Sequence, residues 1–322
     1  MRALIDFPDT NAQAATGQRL QAHFEQPVDV IEAWTLDQVY PAIERVQAQA
    51  SAGRWCVGGL TYEAAPAFDL HLSTHMPDPA WPMVWFGIFE APAMAPFTDG
   101  PPASNVDWRC DWSRAQYMEQ ARAAQRAMAA GECYQVNLTT ALQGSLHDEP
   151  VAWLRALRQQ QPAGYLVWLD GANRQVISAS PELFFDWQPS ADGGHLRCRP
   201  MKGTAAREGD PSLDLDARER LRTSAKERAE NVMIVDLLRN DMGRLAQTGT
   251  VCVERLLDVE AWPTVWQMTS SIGARTRPGV GLLAILEAQY PCGSITGAPK
   301  QQAKRHNSAQ ETGPRGPYCG AF

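Results

Sequence analysis

The sequence predicts an α+β protein of large, mostly antiparallel β-sheets packed together, with helices on the outside. Three observations carry this. Strand-like runs follow one another between residues 165 and 203 with turn residues between them, and helical patterns flank them on both sides. Strands and helices do not alternate strictly, and no segment repeats at a fixed period. With 322 residues and 44% apolar content, the chain can fill one large core or two ordinary ones.

Taken in order, "VYPAIERVQAQASAG" reads as a helix closed by Gly53, followed by strand-like "RWCVGGLTYEA" and "PMVWFGIF". From Glu90 to Pro102 the run "EAPAMAPFTDGPP" has no usable periodicity and reads as a linker. It divides the expected organisation into an N-terminal region, 1–108, and a second region, 109–322. Ser113 with Gln116 three residues on forms a capping box. The helix it opens carries Tyr117, Ala121, Ala124 and Met128 at helical spacing until Gly131. In "ECYQVNLTT", Tyr134, Val136 and Leu138 alternate with Cys133, Gln135 and Asn137, a half-buried strand with an amide-rich face that needs hydrogen-bond partners. "GYLVWLD", "RQVISASPELFFDW" and "HLRCRPMKG" then read as an antiparallel meander. Ser224 opens a second long helix through "ERAENVMIVDLLRNDMGRL", and "GLLAILEAQYP" is a short helix ended by Pro291.

Composition excludes several classes. A net charge of -7 with no basic block argues against nucleic-acid or anionic-membrane partners, though not against a small anionic substrate. Apolar runs such as "YLVWL" fall far short of a bilayer span, and a cytoplasmic location is expected. Seven scattered cysteines without a C-x-x-C pair suit buried free thiols in a reducing compartment. The i, i+4 pair His71 and His75 lacks the glutamate of a zinc-protease motif and reads as polar loop.

Four segments carry chemistry. In "SASPELFF", Glu182 has apolar neighbours that raise a carboxyl pKa, as a general acid requires; a strand-edge glutamate in water is the other reading. In "RPMKGTAAR", Lys202 stands between Met201 and Gly203. It is either a snorkelling surface lysine or, if buried, a nucleophilic amine, and no phosphate-loop pattern precedes it. Glu227 and Glu230, spaced i, i+3 on one helical face, suit Mg²⁺, although Glu227 also fits as the third residue of the Ser224 capping box. In "PCGSITGAPK", the small residues Gly293, Ser294, Thr296, Gly297 and Ala298 let backbone N–H groups face a carboxylate, and Pro299 suits a helix start; an ordinary loop before a helix is the alternative.

These segments, in this order and together with "GECYQVNLT" and "KERAENVMIVDLLRNDMGR", resemble the chorismate-utilising family of anthranilate, aminodeoxychorismate, isochorismate and salicylate synthases, from about Trp112 to Gly320. "MKGT" resembles the "PIKGT" of aminodeoxychorismate synthase component I, where anthranilate synthases carry alanine at the lysine position. The resemblance implies that Lys202 is the nucleophile and Glu182 the general acid/base. It implies that Glu230, with Glu227 in support, holds Mg²⁺, and that Gly203, Thr204 and the Gly293 to Ala298 loop meet the substrate. Chorismate would become 4-amino-4-deoxychorismate, the precursor of p-aminobenzoate and folate, with ammonia from a separate glutamine amidotransferase subunit. The alternatives are anthranilate synthase component I and a non-catalytic remnant that binds the amidotransferase.

Three departures accompany the resemblance. Gln267, in "TVWQMTSS", stands where relatives commonly show histidine, and an amide cannot carry a proton away. Lys304, Asn307 and Gln310 replace apolar residues after "GAPK", so that helix is expected to lack a buried stripe and pack poorly. The sequence ends at "RGPYCGAF" where the family continues with further strands, a substrate-binding arginine and another Mg²⁺ ligand. An exposed sheet edge, with poor solubility or association, is expected.

Overall fold

In a computed structural model, residues 1–8, 19–93, 100 and 103–322 are described. The chain opens with β1 (Arg2–Pro8), β2 (Arg19–Phe24) and β3 (Asp29–Ala33). Next comes α1 (Leu36–Ser51), which buries Val39, Ala42, Ile43 and Val46 along one face. Gly53, at φ +86°, follows it as expected. β4 (Trp55–Leu60) leads through a 3₁₀ turn at Tyr62–Ala64 into the short α2 (Ala65–Phe68) and the fully buried β5 (Val84–Phe89). Most of the expected linker lies outside the described residues. Beyond it come β6 (Arg109–Cys110), α3 (Arg114–Ala129), β7 (Gln135–Val136), β8 (Leu142–Gln143) and α4 (Pro150–Gln160). The Ser113 capping box is complete, with side chain and backbone bonded in both directions.

The expected meander is β9 (Tyr165–Asp170), β10 (Gln175–Ser180), β11 (Leu183–Ser190), β12 (Gly193–Arg199) and β13 (Met201–Ala206). The remainder is α5 (Pro211–Thr223), α6 (Ala225–Gly243), β14 (Cys252–Ala261), β15 (Val265–Thr276), α7 (Leu282–Gln289), α8 (Gly293–Thr296), β16 (Gly297–Ala298) and α9 (Lys300–Gln310).

All strand pairing is antiparallel, but the meander is broken in two places. Pro181, which has no N–H to donate to a ladder, separates β10 from β11 and sends them to different sheets. β10, β9, β1 and β2 form one sheet in that order, whereas β11, β12, β15 and β13 form another with β14 on β15. β15 therefore lies between β12 and β13, a long-range pairing that adjacency along the chain does not disclose. The first sheet also crosses the boundary expected at residue 108, because Arg2–Asp6 pair with Leu166–Asp170.

A third sheet, β3-β5-β4, packs face to face on the first. Phe24 and Phe89 meet there at 5.2 Å between ring centres, beside Val167 and Leu169. On its other face α1 and α7 close a core of Ile31, Ile43, Val84 and Leu286. The second sheet buries Leu196, Cys198 and Ile272 against Ile234, Val235 and Leu238 of α6. Helix α6 thus lies directly across β13, the strand that carries Lys202.

Helix α9 corrects the expectation of poor packing. Ala303, Lys304 and Asn307 are all buried, Lys304 completely. The face is polar and only partly partnered: Lys304 Nζ sits 4.1 Å over the Tyr62 ring without a hydrogen-bond acceptor, and Asn307 Nδ2 donates to the Thr296 carbonyl at 3.2 Å. The half-buried strand expected over "ECYQVNLTT" is also shorter than its alternation suggested. Only Gln135 and Val136 pair, with β16, and the following residues turn to line a cavity.

Candidate active site

Glu182 sits at the break between β10 and β11, where its N–H donates to Ser180 Oγ at 3.2 Å and the same hydroxyl donates to the Glu182 carbonyl at 3.0 Å. Lys202 is the second residue of β13. Both face a cavity of about 530 Å³ that is also lined by Asn137, Ser294, Arg315 and Tyr318. Ser294 joins the two. Its hydroxyl donates to Glu182 Oε1 at 2.5 Å, and its carbonyl accepts from Lys202 Nζ at 2.6 Å and Asn137 Nδ2 at 2.6 Å. Burial raises the Glu182 pKa from 4.5 to about 7, against the opposing pull of the Ser294 hydroxyl, the Lys202 charge and the Met201 N–H. Glu182 and Lys202 are both half-buried, and each faces this cavity.

Gly203 and Thr204 serve the strand. A Cβ on Gly203, whose φ is +96°, would lie 3.2 Å from Glu227 Cβ and 3.2 Å from Met268 Cβ, so glycine lets β13 lie against α6. Thr204 Oγ1 donates to Gln267 Oε1 at 2.9 Å, while Gln267 Nε2 donates to the Gly203 carbonyl at 2.9 Å. Gln267 thus uses both ends of its amide to clamp β13 beside Lys202. Buried Asn231 of α6 adds a second clamp, donating to the Lys202 carbonyl at 3.2 Å and accepting from Ser270 Oγ at 2.6 Å.

Glu227 and Glu230 lie on one face of α6 near its start. The Ser224 hydroxyl accepts from the Glu227 N–H, but the Glu227 carboxylate turns to Lys226 at 3.2 Å, which also reaches Glu230 at 3.8 Å. Two carboxylates one turn apart are a donor set a Mg²⁺ ion could share with water or substrate oxygens, although here both pair with Lys226 and neither lines the cavity. No cluster of three acidic, histidine or cysteine ligands occurs among the described residues.

In the small-residue segment, Ser294 and Ile295 face the cavity. The other members shape the turn. A Cβ on Gly293 would meet Leu237 of α6 at 2.1 Å, and one on Gly297, at φ +119°, would meet the Gln135 carbonyl at 2.2 Å. Thr296 is buried and donates to the Cys292 carbonyl at 3.2 Å, and the Ala298 carbonyl accepts from Tyr134 N at 2.8 Å. Pro299 falls one residue before the first turn of α9. Asn137 and Arg315 were not singled out as site residues. The amide-rich face of "YQVN" points to the first, while Arg315 lies beyond the end of α9 and no local pattern marks it.

Sheets that bring an acid, an amine and a small-residue turn to one cavity define a small-molecule binding site of enzyme type. The chain belongs to the chorismate binding enzyme family, which it matches over residues 6–322. It is 38% identical over 240 residues to anthranilate synthase component 1 of Streptomyces coelicolor, covering 72% of this chain and 46% of that protein. It is 36% identical over 238 residues to aminodeoxychorismate synthase component 1 of Salmonella typhimurium, covering 74% and 50%. The chain spans about half the length of these curated relatives. The fold is that of anthranilate synthase component I from Streptococcus pneumoniae, with a TM-score of 0.77 at 22% identity over 92% of this chain and 78% of that one.

Proposed function

We propose that this chain carries the catalytic pair of an aminodeoxychorismate synthase component I, which converts chorismate and ammonia to 4-amino-4-deoxychorismate and water. The observation that supports this best is the junction at Ser294, whose two oxygens hold Lys202 and Glu182 on one cavity. Once Lys202 has given its ammonium proton to solvent, its amine attacks C2 of chorismate, the ring double bond shifts, and the C4 hydroxyl leaves as water with the Glu182 proton. Ammonia then adds at C4, the double bond returns, the C2–N bond to Lys202 breaks, and the Glu182 carboxylate takes up the proton that ammonia sheds. A carboxyl with a pKa of about 7 suits both transfers near neutral pH. Mg²⁺ on Glu227 and Glu230 would supply positive charge for a substrate carboxylate. Gly203, Thr204 and the turn from Gly293 to Ala298 shape the substrate's seat, with Ser294 nearest the chemistry. Ammonia would come from a separate glutamine amidotransferase subunit in the cytoplasm. No helix among the described residues is long and apolar enough to cross a membrane.

The test is incubation with chorismate, ammonium and Mg²⁺, with products separated by chromatography and mass. Aminodeoxychorismate is expected from the wild-type chain and not from K202A. Anthranilate as the direct product, or undiminished aminodeoxychorismate from K202A, would overturn the assignment.

A further inference from the structure

Resting on that reading, we propose that Arg315 is a positioning residue for the Lys202–Glu182 pair, itself fixed by Glu63 of the N-terminal 3₁₀ turn. Arg315 lines the cavity, yet its side chain is only 2% exposed. Its charge is already engaged: Nε donates to Glu311 Oε2 at 2.9 Å and Nη2 to Glu311 Oε1 at 2.5 Å. The remaining donors join two pieces of backbone, Nη1 to the Ile295 carbonyl at 3.2 Å and Nη2 to the Asn137 carbonyl at 2.8 Å. Those residues flank the junction of the site. Ile295 follows Ser294 directly, and Asn137 donates its amide to the Ser294 carbonyl. One planar guanidinium therefore spaces the segment after β7 that carries Asn137 from the turn that carries Ser294, a task for which a lysine lacks the fork.

The anchor lies far away in sequence. Glu63, itself buried, accepts from Arg315 N at 2.8 Å and Gly316 N at 3.0 Å, one backbone N–H for each carboxylate oxygen. The Tyr62 ring lies 4.7 Å under the guanidinium. Position thus passes from Glu63 to Arg315, from Arg315 to the two backbone segments, and from Ser294 to both catalytic groups. Without the guanidinium, the Asn137 and Ile295 segments are free to part. Ser294 then loses its register against Glu182 and Lys202.

The experiment uses R315K, which keeps the charge, and R315M/E311L, which removes the buried pair together so that neither partner is left unpaired. With glutamate labelled at the carboxyl carbon, Glu182 is followed by NMR from pH 5 to 9 and assigned by its absence in E182Q. Burial raises the Glu182 pKa and the Ser294 hydroxyl and Lys202 charge hold it down, and all three change when the segments part, so the titration midpoint of both variants is expected to move away from the wild-type value. In turnover, kcat is expected to fall about tenfold or more while KM changes much less, as for a geometric fault at the reacting groups. A folded variant with an unshifted Glu182 midpoint would overturn the proposal, whatever its loss of thermal stability. Either variant alone supplies that result. The titration needs no turnover, so a wild-type chain inactive on chorismate would count against the functional reading and leave this one to be decided by NMR.

Discussion

Replacing Glu182 by glutamine removes a half-buried, poorly solvated acid while keeping its shape, and the direction of the change in stability with pH follows from that setting. The native carboxyl holds its proton to about 7, whereas the unfolded chain releases it near the ordinary 4.5. Between those values the native state binds more protons than the unfolded state, so stability falls as pH rises through the window, and the loss is complete above about 7. A displacement of this size corresponds to about 3 kcal/mol at about 1.4 kcal/mol per pH unit. Other buried groups titrate equally in both proteins, so the difference between wild type and E182Q isolates this one. In urea denaturation at pH 5, 6, 7 and 8, E182Q should gain on wild type by about 2–3 kcal/mol across the series. Turnover of wild type should decline above about pH 7 as the proton donor is lost. Parallel stability curves for the two proteins would refute the claim that Glu182 is a poorly solvated acid.

Two further outcomes test how the site is supported. Burial lowers the Lys304 pKa to about 7, below its unfolded value, so the unfolded chain binds the extra proton between there and about 10.5 and stability rises with pH over that range. K304M should therefore stabilise the protein by about 2–4 kcal/mol near pH 7, with a gain that shrinks by pH 9 in denaturant titrations. G297A would place a methyl group 2.2 Å from the Gln135 carbonyl at φ +119° and should cost about 3 kcal/mol or more. G131A, also at positive φ but with open space around it, should cost only about 1 kcal/mol in the same thermal melts.

Local chemistry was legible in the sequence and long-range assembly was not. The Ser113–Gln116 box could be read because all its bonds fall within four residues. Glu182 and Lys202 could be paired because the order of motifs placed them, although each had a bland local reading. The strand order could not be read: nothing near Cys198 or Thr204 signals that β15, some seventy residues on, will lie between their strands. Polar α9 was misjudged because amphipathicity assumes an apolar neighbour. Here the neighbour is the Tyr62 ring, flanked by Lys304 and Arg315, and the face it buries is charged.

Ser294 shows why the site's centre is the least visible part of it. A serine between glycine and isoleucine in a short turn carries no pattern of its own, and half of its role belongs to a carbonyl that every residue possesses. What makes that carbonyl special is convergence: Lys202 from a strand, Asn137 from the segment after β7 and the Ile295 carbonyl held by Arg315 all meet at one turn. The glycines on either side follow from the same demand. Gly293 lets α6 approach and Gly297 lets β7 approach, so the turn is gripped from both sides while its serine faces the cavity. Precision at the acid and the amine thus comes from groups that take no part in the bond changes, and substitutions there should act on kcat before they act on binding.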